Sequence, residues 1–272
     1  MSVTGTGVMS ATLRYGDAAE IVEAAAELES LGYTAVWIPD FGDDVFGALD
    51  RLLGATSTMT VATGVLNVWL QTPEAANAWW NGLSADHQAR VLLGLGVSHG
   101  PLIGESWGRP LTTMGEFLDA LEVPEDHRCV AALGPRMQEL ARRRTAGAHP
   151  YLVTPEHTAA TRLNIGPDKL LTVALAVVLE PEPTKARAIA REELQLYAQL
   201  PNYANNWKRV GFTDDDVTSI SDRLIDAVIA WGDVDAIAAR VAEHRAAGAD
   251  HVCLQVMPDR NPRDAWRALA GV

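Results

Sequence analysis

The sequence of 272 residues contains little cysteine, little lysine and no long apolar run. Its two cysteines, Cys129 and Cys253, stand in the apolar runs CVAAL and HVCLQV, so we expect buried, reduced thiols and no disulfide framework. No apolar run approaches the ~18 residues that a membrane span requires, and the N-terminus lacks a basic segment followed by an apolar one. We therefore expect a cytoplasmic protein without a membrane partner.

Positive charge is also scarce, with 22 Lys and Arg residues against 35 Asp and Glu residues and a formal net charge of -13. A nucleic-acid partner would require a basic stripe, so this balance argues against one. The seven histidines show no H-E-x-x-H or H-x-H spacing and the two cysteines form no C-x-x-C pair. The sequence therefore predicts no metal site.

Short apolar runs alternate along the chain with longer segments of helical period. In the first of these helical segments, residues 17–32, apolar residues recur every three or four positions and Gly32 ends the pattern as a C-terminal cap. Thr72, Pro73 and Glu74 have the order of residues that begins a helix. The predicted strands are 7–13, 34–40, 60–69, 91–97, 128–133, 149–154, 169–180 and 251–257.

Eight strands separated by helices in a chain of this length predict an α/β protein with a (β/α)8 TIM barrel fold. The continuous apolar character of the strands fits parallel strands that are covered on both faces. A doubly wound open sheet fits less well, because no glycine-rich dinucleotide motif opens the first helix. We expect a single domain over 1–272, with an insertion in the 184–245 region, where residues 201–216 interrupt the helical pattern.

In such a barrel the chemistry lies where the strands end. Asp40 ends the second predicted strand, where it could hold a cofactor or substrate or equally be an ordinary helix-cap or turn residue. His99 follows the fourth strand. After the fifth strand, Gly134, Pro135 and Arg136 begin a helix whose free N–H groups and guanidinium could bind an anion, although an ordinary capped helix with a solvated arginine explains them equally well.

Three other patterns admit more than one interpretation. Residues 96–100 match the G-x-S-x-G motif of serine hydrolases with Ser98 as nucleophile, but a loop rather than a helix is expected to follow, which disfavours that function. Glu156 and His157 could form an acid–base pair, although a helix start is the better interpretation. Trp69 and Trp107 lie in predicted loops, which suits either a planar ligand or a subunit interface.

Beyond these patterns, an ordered set of segments resembles the luciferase-like monooxygenase superfamily, in particular its coenzyme F420-dependent oxidoreductase branch. These segments are LESLGYTAVWIPD, VATGVLNVW, VLLGLGVSHGPL, TTMGEFLDAL, AALGPRMQELARRRTAGAHPYLVTPEHT, LPNYANNWKRVGFTDDD and AWGDVDAIAARVAEHRAAGADHVCLQV. Together they span nearly the whole chain.

The resemblance implies that a flavin-like ring lies at the carboxyl ends of the strands. It implies a non-prolyl cis peptide bond at Gly64–Val65, behind that ring. The predicted cofactor-binding residues are Asp40, Gly64, Val65, Gly96, Val97, Ser98, Ala131, Ala132, Gly134, Pro135 and Arg136.

Two positions depart from the family pattern. Several F420-dependent relatives follow the acidic residue after strand two with a histidine, where this chain has Phe41, and many have a glutamate where it has Val97. His99 is therefore our candidate for proton transfer, since the ordinary pKa of histidine, about 6.5, suits that role.

The resemblance implies an enzyme that transfers a hydride between coenzyme F420 and a small organic substrate. An FMN-dependent monooxygenase of the same superfamily and a barrel that binds its ligand without turnover are the alternatives. Because barrels of this family commonly dimerise, we also expect a homodimer.

Overall fold

The computed structural model describes residues 3–104, 107–260 and 262–272. The described part contains ten β-strands. They are β1 (Gly5–Met9), β2 (Ala35–Ile38), β3 (Thr60–Thr63), β4 (Leu66–Asn67), β5 (Val91–Gly96), β6 (Arg128–Val130), β7 (Gly147–Ala148), β8 (Leu170–Val178), β9 (Ile229–Trp231) and β10 (His251–Val256).

Eight of these strands form a closed parallel barrel. The pairing runs β10–β1–β2–β3–β5–β6–β7–β8, and β8 pairs with β10 to complete the ring. The last pairing extends from His251 opposite Thr172 to Val256 opposite Val177. Strand β4 pairs with β5 just after β3 ends, and β9 pairs with the C-terminal part of β8. The predicted TIM barrel is confirmed.

Helices surround the barrel. They are α1 (Thr12–Tyr15), α2 (Ala18–Ser30), α3 (Val45–Ala55), α4 (Pro73–Gly82), α5 (Ala85–Gln88), α6 (Gly100–Ile103), α7 (Pro110–Ala120), α8 (Pro135–Arg144), α9 (Pro155–Ile165), α10 (Pro183–Ala198), α11 (Pro201–Arg209), α12 (Asp214–Ser219), α13 (Asp222–Val228), α14 (Val234–Ala246) and α15 (Arg263–Ala268), with a 3-10 turn at Glu125–His127. In the described ranges none of them is long and apolar enough to span a bilayer.

The local signals in the sequence explain several helix ends. Thr72 accepts a hydrogen bond from Ala75 N and begins α4, as predicted. Gly32 follows α2 with a φ of 89°, a conformation that glycine adopts without steric cost. Thr154 accepts a hydrogen bond from His157 N at the start of α9. The interpretation of residues 155–157 as a helix start is therefore confirmed.

The lumen of the barrel holds a small cluster around Trp37. The Trp37 ring stacks on His149, with centroids 4.2 Å apart, and Trp37 Nε1 donates a hydrogen bond to His251 Nε2 over 3.2 Å. Cys129 and Cys253 lie in the same cluster, buried and free. Burial raises the pKa of Cys129 to about 12, so this sulfur stays a thiol. The prediction of buried thiols is confirmed.

The insertion differs from its prediction. Residues 201–216 do not interrupt the helices of this region, because they contain α11 and the start of α12. Helices α10 to α13 have a buried apolar core of their own against β8 and β9. Within it Trp207 is fully buried and donates from Nε1 to the carbonyl oxygen of Leu152 over 3.0 Å. The apolar face of α11 is short, and the sequence of this helix, PNYANNWKR, is mostly polar.

Candidate active site

Two adjoining cavities open at the carboxyl ends of the barrel strands. One, of about 490 Å³, reaches the start of α8 and is called the Gly134 cavity here. The other, of about 480 Å³, reaches β10 and the loop after β2 and is called the Gln255 cavity. The residues that line both are Val65, Ser98, His99, Ala131, His149, Tyr151 and Tyr203.

Most predicted site residues come together in these cavities. Those that line one or both of them are Asp40, Gly64, Val65, Gly96, Val97, Ser98, His99, Ala131, Ala132 and Gly134. Pro135 and Arg136 lie beside Gly134 in the first turn of α8, exposed to solvent. The structure therefore groups all twelve residues at one end of the barrel, and their roles stay predictions.

The shared wall includes the bond between Gly64 and Val65, which is cis as predicted. Gly96, on the neighbouring strand β5, makes room for the Val65 side chain, because a Cβ atom at Gly96 would overlap Val65 Cγ2. Gly94, two residues earlier, is required for another reason: a Cβ atom there would overlap the backbone oxygen of Thr63. The two glycines therefore allow β3, β4 and β5 to approach closely below the cavities.

His99 follows β5 and lines both cavities. Its Nδ1 lies 2.9 Å from Oδ1 of Asn202, which belongs to α11, and its ring centroid lies 5.4 Å from that of Tyr203. Burial lowers the pKa of His99, and the hydrogen bond with Asn202 opposes part of that shift. The imidazole is therefore neutral at pH 7 and can accept a proton.

The segment around Ser98 differs from its prediction. A one-turn helix, α6, begins at Gly100 where we expected a loop. Ser98 itself has a φ of 54°. The lack of a following helix was our main argument against a serine nucleophile, so that argument no longer holds. The serine hydrolase alternative now depends on a labelling experiment.

His149 is a site residue that the sequence analysis missed. Its Nδ1 lies 2.8 Å from Thr172 Oγ1 and 3.1 Å from the Thr172 carbonyl oxygen. Its Nε2 lies 3.4 Å from the position of a Cβ atom at Gly64. Burial lowers the pKa of His149 to about 3, so the ring is neutral. The signal was present, because His149 directly follows β7 (Gly147–Ala148), the strand that we had predicted over 149–154.

The start of α8 combines several features of an anion site. Gly134 precedes the helix and offers no side-chain acceptor to its first N–H groups. Arg136 lies in the first turn, and Arg209 of α11 brings Nη2 to 3.9 Å from the position of a Cβ atom at Gly134. The N-terminus of α8 and the guanidinium of Arg209 therefore lie at the same end of the Gly134 cavity, and the exposed Arg136 stands in the first turn of that helix. Sequence reasoning missed Arg209 because it lies 73 positions after Arg136.

Asp40 accepts hydrogen bonds from its own loop and from the segment around β4. Its Oδ1 accepts a hydrogen bond from Gly42 N over 3.0 Å, and its Oδ2 accepts one from Asn67 N over 3.1 Å. The carboxylate is 3% exposed and fixes the loop after β2 to β4, at the edge of the Gln255 cavity. Phe41, which stands where relatives have a histidine, is 75% exposed.

The two tryptophans of the predicted loops lie together. Trp69 and Trp107 have ring centroids 5.7 Å apart, and Trp69 Nε1 donates to the carbonyl oxygen of Val97 over 2.6 Å. Trp107 lines the Gly134 cavity. This position suits the planar ligand that we considered, and the alternative of a subunit interface is untested.

Comparisons with known proteins agree with this geometry. The family model of the luciferase-like monooxygenases matches residues 1–124. The resemblance to this superfamily is confirmed. No curated protein sequence matches the chain.

Solved structures of several enzymes have a similar fold. An F420-dependent secondary alcohol dehydrogenase with an F420–acetone adduct has a TM-score of 0.75 at 14% identity, with 99% of this chain and 97% of that chain covered. The F420-dependent tetrahydromethanopterin reductase of Methanopyrus kandleri has a TM-score of 0.71 at 14% identity, with 100% and 98% covered. The oxygenating constituent of 3,6-diketocamphane monooxygenase from Pseudomonas putida, in complex with FMN, has a TM-score of 0.69 at 14% identity, with 98% and 96% covered.

Proposed function

We propose that this chain is an oxidoreductase that binds coenzyme F420 and transfers a hydride between C5 of its deazaflavin ring and a small organic substrate. The observation that carries the proposal is the pair of cavities, which meet at Val65, His99 and His149. One cavity ends at a cationic helix start and the other does not. This division suits a cofactor with an anionic arm on one side and a substrate on the other.

The residues present fit such a cofactor. Val65 and Ala131 line both cavities, and a flat ring can lie against them at this shared wall. The first turn of α8, with Arg136 and Arg209, is suited to bind a phosphate. A deazaflavin bound in this way would supply a carbon atom that accepts or gives up the hydride.

His99 is the residue that we propose for proton transfer. It borders both cavities, so its ring contacts a substrate that lies against the shared wall. The hydrogen bond to Asn202 holds Nδ1, which leaves Nε2 as the atom that takes up or releases a proton. The pKa of His149, lowered to about 3 by burial, is too low for this role. Its neutral ring instead forms part of the lining of both cavities.

Helix α11 closes the site from above. Pro201, Asn202, Tyr203 and Asn205 line the Gly134 cavity, and Tyr203 is buried. Because the helix is held by the buried Trp207, these side chains keep fixed positions over the cavity and exclude water from the reacting atoms.

The test is a side-by-side fluorescence titration of the purified protein with oxidised F420 and with FMN. We expect F420 to bind at micromolar affinity or better and at least tenfold more tightly than FMN. Equal binding, preference for FMN, or no binding of either would overturn the proposal.

The second candidate is an FMN-dependent monooxygenase. Its support is the FMN-bound structural neighbour, together with the acidic balance of this chain, which does not favour the glutamyl tail of F420. FMN has the same phosphorylated arm but no such tail. Preference for FMN in the titration, followed by substrate oxygenation, would establish this alternative.

A third possibility is a barrel that binds its cofactor without turnover, for which Phe41 in place of the family histidine is the argument. Tight F420 binding without reduction of any substrate in a broad panel would favour it.

We also propose a homodimer, as is common among luciferase-like barrels. Light scattering at micromolar concentration is expected to give about twice the chain mass of 29.2 kDa, and a monomeric mass would contradict the proposal.

A further inference from the structure

The Gln255 cavity has an apolar wall and an apolar rim. Phe41, Leu70, Leu102 and Leu196 line this cavity, and each of them exposes 47% or more of its surface. Deeper in the cavity, Met9 and Leu200 continue the apolar lining. Large exposed apolar side chains grouped around one opening are typical of a ligand-binding site, whereas scattered ones carry no such meaning.

Charged groups are scarce in the same cavity. Among the described residues that line it there is no Lys or Arg, and Asp40 is its one carboxylate. Asp40 already accepts hydrogen bonds from the backbone N–H groups of Gly42 and Asn67. An anionic ligand would therefore lose its hydration without gaining a cationic partner, which is unfavourable in a buried site. A cationic ligand would find a carboxylate whose lone pairs are largely occupied.

One polar atom in this region lacks the partner that a buried polar atom requires. Gln255 Oε1 is buried without a hydrogen-bond partner, and it shares the Gln255 cavity with the hydroxyl of Tyr151, which is buried beside Tyr197. Buried polar atoms are hydrogen-bonded in the great majority of cases, so each exception requires an explanation. A ligand that supplies a matching group is one such explanation.

The positions of these residues on the barrel allow one ligand group to serve both. Tyr151 forms a bridge with Ala174, and Gln255 pairs with Ala176 on the opposite edge of the same strand, β8. Ala174 faces the lumen of the barrel, and side chains two residues apart lie on the same face of a strand. Tyr151 and Gln255 therefore lie on opposite sides of β8, two residues apart in register, and both line the Gln255 cavity.

We propose that the Gln255 cavity binds an uncharged, mainly apolar molecule through a single hydroxyl or carbonyl oxygen, with Gln255 and Tyr151 as its hydrogen-bonding partners. A hydroxyl group donates to Gln255 Oε1 and accepts from the Tyr151 hydroxyl. A carbonyl group accepts from Tyr151 only. This inference rests on the proposed function for the assignment of the Gly134 cavity to the cofactor, but the binding itself requires no turnover.

The test is isothermal titration calorimetry with three probes that share one ring: cyclohexylmethanol, methylcyclohexane and cyclohexanecarboxylate. Each probe is titrated into the full chain with and without F420. We expect the alcohol to bind at least tenfold more tightly than the carboxylate. In Gln255→Leu, the ratio of alcohol affinity to hydrocarbon affinity is expected to fall about tenfold, because only the alcohol loses a partner. Tyr151→Phe is expected to lower the same ratio.

The ratio of alcohol affinity to hydrocarbon affinity distinguishes the loss of a hydrogen bond to the ligand from a general disturbance of packing. A variant that disturbs packing weakens the alcohol and the hydrocarbon alike and leaves the ratio unchanged. Gln88→Leu is the matched control, since Gln88 lies on α5 and donates to the carbonyl oxygen of Trp80, outside both cavities. Its ratio should equal that of the unaltered chain.

Three results would overturn the inference: carboxylate binding as tight as alcohol binding, an unchanged ratio in both Gln255→Leu and Tyr151→Phe, or no probe binding in either form of the protein. Probe binding without F420 binding would contradict the proposed function and leave this inference standing. F420 binding without probe binding would overturn this inference and leave the proposed function standing.

Discussion

His99 and Asn202, which are 103 positions apart in the sequence, form a hydrogen bond of 2.9 Å between Nδ1 and Oδ1 across the mouth of the barrel. One residue belongs to the loop after β5 and the other to α11, so the insertion directly contacts the residue that we propose for proton transfer. The bond fixes the ring orientation, and a change at Asn202 should therefore alter the proton affinity of His99.

Asn202→Asp should raise the pKa of His99, because it places a carboxylate beside an imidazole whose pKa burial has lowered. In the unaltered chain the neutral ring prevails at pH 7, and the proton-accepting form is lost as pH falls through the lowered pKa. NMR titration of the labelled imidazole measures the shift directly. Asn205→Asp, on the same helix but without a contact to His99, is the control and should shift the pKa less. Equal shifts in the two variants would contradict the assigned contact.

Gly96→Ala should weaken cofactor binding at least tenfold while the barrel stays folded. The new Cβ atom overlaps Val65 Cγ2, so the Val65 side chain must move into the space where we place the ring. Gly94→Ala is the matched comparison, because its Cβ atom overlaps the backbone oxygen of Thr63, which cannot move so easily. It should lower the free energy of unfolding by roughly 1–3 kcal/mol, the usual cost of overpacking. Fluorescence titration measures the cofactor affinity of both variants, and urea denaturation measures their free energy of unfolding. The assignment would be contradicted if Gly94→Ala weakened cofactor binding more than Gly96→Ala, or if Gly96→Ala lowered the free energy of unfolding more than Gly94→Ala.

Arg209→Ala should weaken the binding of FMN and of F420 by about tenfold, since it removes one of two guanidinium groups at the proposed phosphate site. The loss should be larger at low salt, because screening weakens the interaction in the unaltered chain as salt increases. Arg143→Ala is the control, since Arg143 lies at the other end of α8, where it pairs with Glu139. If Arg209→Ala and Arg143→Ala bind the cofactor equally well, the phosphate lies elsewhere.

The protein should lose stability as pH falls from about 6.5 toward 4. Burial lowers the pKa of His149 to about 3 and that of His251 and His244 to about 4. The unfolded chain therefore binds protons at these histidines near pH 6.5, whereas the folded chain does not. The free energy of unfolding decreases as the pH falls from about 6.5 toward 4. Urea denaturation at several pH values gives the slope. In His251→Gln the slope of the free energy of unfolding against pH should decrease by an amount equivalent to about one proton. An unchanged slope would show that His251 does not contribute.

The fold could be predicted from the sequence because its signals are local and repeated. The longer strands, such as β8 and β10, show continuous apolar runs, and helix ends such as Thr72–Pro73 have their own markers. The prediction was wrong in the insertion, where α11 exposes Asn and Lys and buries only three side chains, Tyr203, Asn206 and Trp207. A helix with so narrow an apolar face resembles a loop in a single sequence.

The site was predictable only in part, for a related reason. Glycines, Asp40 and His99 stand at strand ends, where the barrel geometry brings them together. Arg209 and Asn202 reach the same place from α11, which no local pattern indicates. Gln255 has no distinguishing mark in the run HVCLQV, and its unpartnered oxygen became visible only when its neighbours were known.

The hydrogen bond from Trp207 to Leu152 has a consequence for how this protein could diversify. Helix α11 is supported by a core that is separate from the main core of the barrel. Its exposed residues that line the cavity, Pro201, Asn202 and Asn205, lie outside this core, so they can change without disturbing the packing of the eight strands. The eight strands must keep their positions for the site to keep its geometry. Substitutions at the exposed positions of α11 can instead change which molecules fit into the cavity.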